Sequence, residues 1–167
     1  MNFTTKETYL LEDQKNHEKI CVQKYSSYAN MASCSELKSI FQQNGQKEQE
    51  HYNTLDQLLK GQMPSMSQSS GQQQSSGQQS GSQMQMKSGG QQSFQSQGNS
   101  SFSNSDKDLC TDMLMTEKYV SGAYNSAIFE FSDPQVRSIL NHIQKEEQQH
   151  GEAIFKYMEN KGMYQAK

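Results

Sequence analysis

The sequence predicts an all-α protein, a bundle of four helices made from two copies of one helical hairpin with a long disordered linker between the copies. Three observations predict it. Apolar residues recur at three- and four-residue steps in both outer parts of the chain, the spacing of one helix face. Residues 10–59 slide onto 109–158 without a gap, at a constant offset of about 99, with roughly twelve identities in about fifty positions. Between the copies the chain turns almost entirely to Gln, Ser and Gly.

Each element has its local signals. Thr4-x-x-Glu7 supplies a capping box for the first helix. Ser33-Cys34-Ser35-Glu36 fits the same S-x-x-E pattern at the first turn, and Gly61 suits the end of the second helix. The third helix carries Leu109, Met113, Leu114, Val120, Tyr124, Ile128 and Phe131 on one rhythm. Ser132-Asp133-Pro134-Gln135 then offers an N-cap and a proline in the first turn of the fourth helix. That helix repeats Val136, Ile139, Leu140, Ile143, Ile154, Tyr157 and Met158, and Gly162 suits its end. Both hairpins therefore turn at equivalent positions. Helices of about 25 residues are roughly 37 Å long and bury such stripes only against one another.

The expected partition is a first hairpin over 1–60, a linker over 61–106 and a second hairpin over 107–167. The linker, with segments such as Gly71-Gln72-Gln73-Gln74-Ser75-Ser76-Gly77, cannot bury enough apolar area to offset its ordering entropy. Its end-to-end distance of roughly 35 to 40 Å spans the length of the bundle. A long crossover between helices two and three and a simple up-down-up-down connection are both open at this stage.

Composition narrows the function. The chain has 167 residues, of which 31% are hydrophobic, a mean hydropathy of -1.01 and a formal net charge of -3. Its Lys and Arg are scattered, so it lacks the basic stripe that nucleic-acid binding requires. No stretch approaches the roughly 18 apolar residues of a membrane span, and no apolar run follows the N-terminus as a secretory signal, which predicts synthesis in a cytoplasm. Cys21, Cys34 and Cys110 are odd in number and widely spaced, and are expected to be reduced packing residues.

The stripes are interrupted in one consistent way. The fourth helix runs Ile143, Glu147, His150, Ile154, Tyr157, and the second runs Ile40, Asn44, Glu48, His51, Leu55, Leu58. Both place Glu-x-x-His where core residues belong. Glu18 lies between Leu11 and Val22 on the first helix, and Glu117 between Leu114 and Val120 on the third. An unpaired ion in an apolar core costs several kcal/mol, so four inward carboxylates and two imidazoles need a neutralising partner. Two divalent cations balance four carboxylates. One Glu from each of two helices with Glu-x-x-His from the other two is the donor set of ferritin-like di-iron and di-manganese proteins. Carboxylate oxygens with one imidazole per metal suit two iron or manganese ions. The bland alternative is an ancestral site surviving as hydrated charges paired with Lys19 and Lys118. Tyr25 and Tyr124 lie two turns beyond Glu18 and Glu117 on the same stripe, either to hydrogen-bond a ligand carboxylate or as core aromatics. His17 and His142 match no ligand position and are expected at the surface, and Glu146, Gln149 and Glu152 on a solvated face.

Asp112-Met-Leu-Met-Thr-Glu117-Lys-Tyr-Val, Ala127-Ile-Phe-Glu-Phe-Ser-Asp-Pro-Gln135-Val-Arg and Ile143-Gln-Lys-Glu-Glu-Gln-Gln-His150-Gly together resemble the coat F family of bacterial spore coat proteins. The resemblance covers most of residues 106–164; the first half matches more loosely, with Asn44 and Gly45 where an apolar pair is expected. It implies a ferritin-like scaffold and a structural or assembly role. The protein would be made in the mother-cell cytoplasm and assembled into the spore coat, with other coat proteins as partners and a homo-oligomer as one possibility. In that setting a Gln-rich linker is either a substrate for glutamine-lysine cross-linking or a plain spacer. The competing class is a di-iron or di-manganese oxidase, peroxidase or catalase-like enzyme acting on oxygen or peroxide, with Glu18, Glu48, His51, Glu117, Glu147 and His150 as ligands. No Cys-x-x-Cys centre is present to feed it electrons.

Overall fold

A computed structural model describes residues 2–64 and 104–164, and these form four helices: α1 Thr5–Met31, α2 Ser35–Leu59, α3 Asn104–Ile128 and α4 Pro134–Asn160. The helix ends follow the expected chemistry at most positions. Thr4 and Glu7 make the capping box, with Glu7 N donating to Thr4 Oγ1 at 3.2 Å and Thr4 N to Glu7 Oε2 at 2.8 Å. Asp133 caps α4 through Gln135 N at 2.7 Å, with Pro134 opening the helix. Gly61 and Gly162 take positive φ of 74° and 70°. That conformation turns the chain so that Gln62 N reaches Gln57 O at 2.9 Å and Met163 N reaches Met158 O at 2.8 Å.

The first turn differs. Cys34, not Ser33, stands at the N-cap of α2, and it makes no side-chain capping bond. Ser33 instead donates from its backbone N, at 2.9 Å, and its hydroxyl, at 2.6 Å, to Asp106 on α3. This fully buried aspartate also explains why α3 starts at Asn104, inside the stretch expected as linker. Residues 65–103 of that stretch, and with them the cross-linking expectation, lie outside the described residues.

α1 packs along α2 and α3, and α4 along α3 and α2. Direction follows from the ends. Lys6 pairs with Glu130 and Glu7 binds Ser132, so the start of α1 meets the end of α3; Asp106 at the start of α3 meets the α1–α2 turn. Lys15 pairs with Asp56, which puts the end of α2 beside the start of α1. Helices α2 and α3 therefore run parallel, and the end of α2 lies at the opposite end of the bundle from the start of α3. The connection is the long crossover.

The buried faces recur at steps of three and four residues; on α1 they are Glu7, Leu11, Gln14, Glu18, Cys21, Tyr25 and Ala29. All four helices feed two apolar clusters. One contains Leu11, Leu55, Leu58, Val120, Tyr124, Val136 and Ile143, the other Tyr25, Leu37, Phe41, Met113, Ile154 and Tyr157. Between them the core is polar. Among the described residues Cys21, Cys34 and Cys110 are free, the first and last of them buried. No described helix is long and apolar enough to cross a membrane.

Glu7 ties the two hairpins together and should make stability pH-dependent. Bonds from Ser132 N and Thr4 N hold its carboxyl at about 2, against an ordinary 4.5. A depressed carboxylate contributes stability that is present above its unfolded value near 4.5 and is lost as pH falls toward about 2. Glu7→Gln is therefore expected to be less stable than the parent at neutral pH, the gap closing between those two values. Urea titrations of both proteins over that range check it; a gap that stays constant with pH would refute the assignment.

Candidate metal centre

The polar layer between the clusters is built by all four helices. Glu18 comes from α1, Glu48 and His51 from α2, Glu117 from α3, Glu147 and His150 from α4, and each is at most 5% exposed. In the two Glu-x-x-His pairs the spacing of three residues sets both side chains on one face, pointing into the bundle. The structure thus brings together all six sequence-predicted residues.

Two groups of donor atoms result. Glu18, Glu48, His51 and Glu147 offer atoms all within 4.8 Å of one another, and so do Glu48, Glu117, Glu147 and His150. Glu48 and Glu147 belong to both groups, whereas Glu18 with His51 and Glu117 with His150 each belong to one. Glu48 faces the two imidazoles with its two oxygens: Oε2 lies 3.3 Å from His51 Nδ1 and Oε1 lies 3.0 Å from His150 Nδ1. The rings themselves stack at 5.7 Å and 24°.

The tyrosines bind across the hairpins. Tyr25 OH donates to Glu117 Oε1, and Tyr124 OH donates to Glu18 Oε1. Both expectations for these residues hold at once: each ring is a fully buried member of an apolar cluster, and each hydroxyl bonds a candidate ligand. Asn44 Nδ2 donates to Tyr25 OH at 3.1 Å, so this interruption of the apolar stripe holds a tyrosine. Its counterpart in the second hairpin is Ile143, and among the described residues Tyr124 has no such donor.

With one oxygen of Glu18 and of Glu117 taken by a tyrosine, the other Oε2 of each receives no hydrogen bond, and neither oxygen of Glu147 receives one. Glu147 Oε1 does lie 2.9 Å from His51 Nδ1, close enough for ionic attraction without the alignment of a hydrogen bond. Four buried carboxylate oxygens without hydrogen-bond donors, distributed over the two donor groups, are what a site for cations looks like from the protein side. Lys19 and Lys118 do not neutralise it, being exposed.

Protonation shows how strongly these charges crowd. Burial pushes Glu147 well above the carboxylate range and Glu18 up to about 8, although His51 opposes the shift in both. Burial alone would also raise Glu48, but hydrogen bonds with His150 and His51 outweigh it and hold that carboxyl low. Burial would lower His51 and His150; their carboxylate neighbours win, lifting His51 well above 6.5 and His150 to about 9.

Two surface expectations need correction. Glu146 is half-buried, and its Oε2 lies 2.8 Å from His51 Nε2. It pins the ring so that Nδ1 faces the carboxylates, the role of an outer carboxylate on a ligating histidine. The identities shared by the two copies pass over it, because its counterpart is Lys47. His17 is half-buried as well, with its ring edge-on to Tyr119 at 5.3 Å. His142, Gln149 and Glu152 are exposed as expected.

Compared with known protein families, residues 105–167 match the Coat F domain. The match spans α3 and α4, and so contains Glu117, Tyr124, Glu147 and His150. No curated protein and no solved structure matches the chain.

Proposed function

With a Coat F domain at residues 105–167 as its second hairpin, we propose that this chain is a structural protein of the bacterial spore coat. Its ferritin-like bundle is stapled across both hairpins by two divalent metal ions. The protein would be made in the mother cell and assembled with other coat proteins. The observation that carries the metal is the set of donorless oxygens on Glu18, Glu117 and Glu147, buried beside Glu48, His51 and His150.

The donor set decides what fits. Carboxylate oxygens outnumber imidazoles and no cysteine belongs to either group, a composition suited to iron or manganese. Glu48 and Glu147 would be shared between two ions, Glu18 and His51 would serve one, and Glu117 and His150 the other. Such ions supply Lewis acidity and one-electron chemistry toward oxygen or peroxide. The chain's own part is to hold the carboxylates in a dry layer, to orient His51 through Glu146, and to fix one oxygen of Glu18 and of Glu117 through the hydroxyls of Tyr124 and Tyr25. Those two phenols, hydrogen-bonded to ligand carboxylates, are the observation favouring a second reading as an oxidoreductase on oxygen or peroxide.

Elemental analysis after reconstitution with iron or manganese tests the centre. About two metals per chain are expected, falling to background in a Glu48→Ala, Glu147→Ala variant. Metal at background in the parent would overturn the centre, and peroxide turnover lost with the metal would favour the enzyme. Glu146→Ala is expected to weaken metal binding roughly 10- to 100-fold, read by competition with a chromophoric chelator; an unchanged affinity would remove Glu146 from the site.

A further inference from the structure

The two hairpins grip each other through contacts that come in matched pairs. Glu7 at the start of α1 accepts from Ser132 N at 2.9 Å and Ser132 Oγ at 3.0 Å in the α3–α4 turn. Asp106, its counterpart at the start of α3, accepts from Ser33 N at 2.9 Å and Ser33 Oγ at 2.6 Å in the α1–α2 turn. Tyr25 binds Glu117 and Tyr124 binds Glu18. Glu48 with His51 faces Glu147 with His150. Each contact joins one hairpin to the other, and interchanging the copies reproduces the set.

A surface that meets its own repeat through reciprocal contacts is self-complementary in the manner of a twofold interface. Neither hairpin completes the polar layer alone, and a separated hairpin would present its carboxylates and aromatic face without partners. Nothing in these contacts specifies that the partner belongs to the same chain. Residues 60–103 separate α2 from α3, a length of chain that reaches on the order of 150 Å when extended, several times a helix length.

We propose that the first hairpin of one chain pairs with the second hairpin of another copy of this chain, so that both serine clasps and the six-residue centre form between molecules. The ion rests on the metal reading above; the clasps and tyrosine bonds do not. In dilute solution a chain closes on itself, because its own second hairpin is present at an effective concentration on the order of millimolar. At that concentration or above, exchange competes. Reciprocal exchange closes a dimer, and exchange passed from chain to chain builds a filament.

Complementation between full-length chains tests it. One chain carries Glu48→Ala and His51→Ala, the other Glu147→Ala and His150→Ala, so neither holds a complete donor set. Refolded together near millimolar concentration, they should recover up to about half of the parent's metal per chain, because one of the two bundles in a mixed dimer has all six donors. A second measurement needs no metal: tagged and untagged parent chains, refolded together at the same concentration in chelator, should co-purify, and should not when mixed after separate folding. Absence of co-purification after joint refolding overturns the proposal. Co-purification from a parent that binds no metal upholds exchange and removes the ions.

Discussion

Glu147→Leu is expected to raise the melting temperature of the bundle in chelator and to abolish any rise produced by metal. Glu147 is 0% exposed, neither of its oxygens receives a hydrogen bond, and burial pushes its carboxyl well above the usual range. A buried polar group without a hydrogen bond costs about 1–3 kcal/mol, which the 2.9 Å approach of His51 Nδ1 offsets only in part, and exchanging buried ionic groups for well-packed apolar ones is often stabilising. Leucine fills similar space between Ile143 and Ile154 on the same seam. His51 keeps Glu48, Glu18 and Glu146 as partners. The expected gain of about 1–3 kcal/mol corresponds to several degrees in this size range. Metal acts in the opposite direction. A ligand at a hundred times its dissociation constant stabilises the parent by about 2.7 kcal/mol, and the variant forfeits this with its shared carboxylate. Melting curves of both proteins with and without manganese decide it. A variant destabilised in chelator would refute the unpartnered-carboxylate argument; one still stabilised by metal would show that Glu147 is not a ligand.

Phe41→Ala should cost the most of any single apolar truncation near the centre, about 3–5 kcal/mol. Phe41 is 0% exposed, with its ring 5.8 Å from that of Tyr25 and 6.2 Å from that of Tyr28. Removing it opens a void behind the phenol that holds Glu117, so the loss reaches the polar layer as well as the apolar cluster. Gly45 tightens the constraint: a Cβ there would stand 3.0 Å from Tyr25 Cβ, so α1 and α2 already approach closely and have little room left to fill the void. A fall of about 10 °C or more in melting temperature follows from that cost. Phe129→Ala is the internal control, since the residue is 83% exposed and its loss should stay within about 0.5 kcal/mol. Equal effects at the two positions would refute the assignment of Phe41 to the core.

Why the six inward residues could be read without a structure is a matter of spacing. Glu48 with His51 and Glu147 with His150 share a helix face by virtue of being three residues apart, and the repeat doubled every clue. Thr4 with Glu7, Asp133 with Pro134, and the two terminal glycines were equally legible, because a cap is settled within one helical turn. Glu146 was not, since one residue away from Glu147 it falls on a different face of α4 by periodicity alone. Its half-burial comes from His51 on the facing helix, 95 positions distant. Ser33 misled for the same reason: its local partner in an S-x-x-E box lost to Asp106 across the bundle.

By itself the sequence determined the helices, their stripes, the duplication and the residues set into the core, all consequences of periodicity and of chemistry within a few residues. Only the tertiary structure decided the parallel run of α2 and α3, the crosswise tyrosine bonds, the serine clasps, and the sharing of Glu48 and Glu147 between two donor groups. Those depend on which helix ends and faces meet. That is governed by the fit of one hairpin against the other, and no run of neighbouring residues records it.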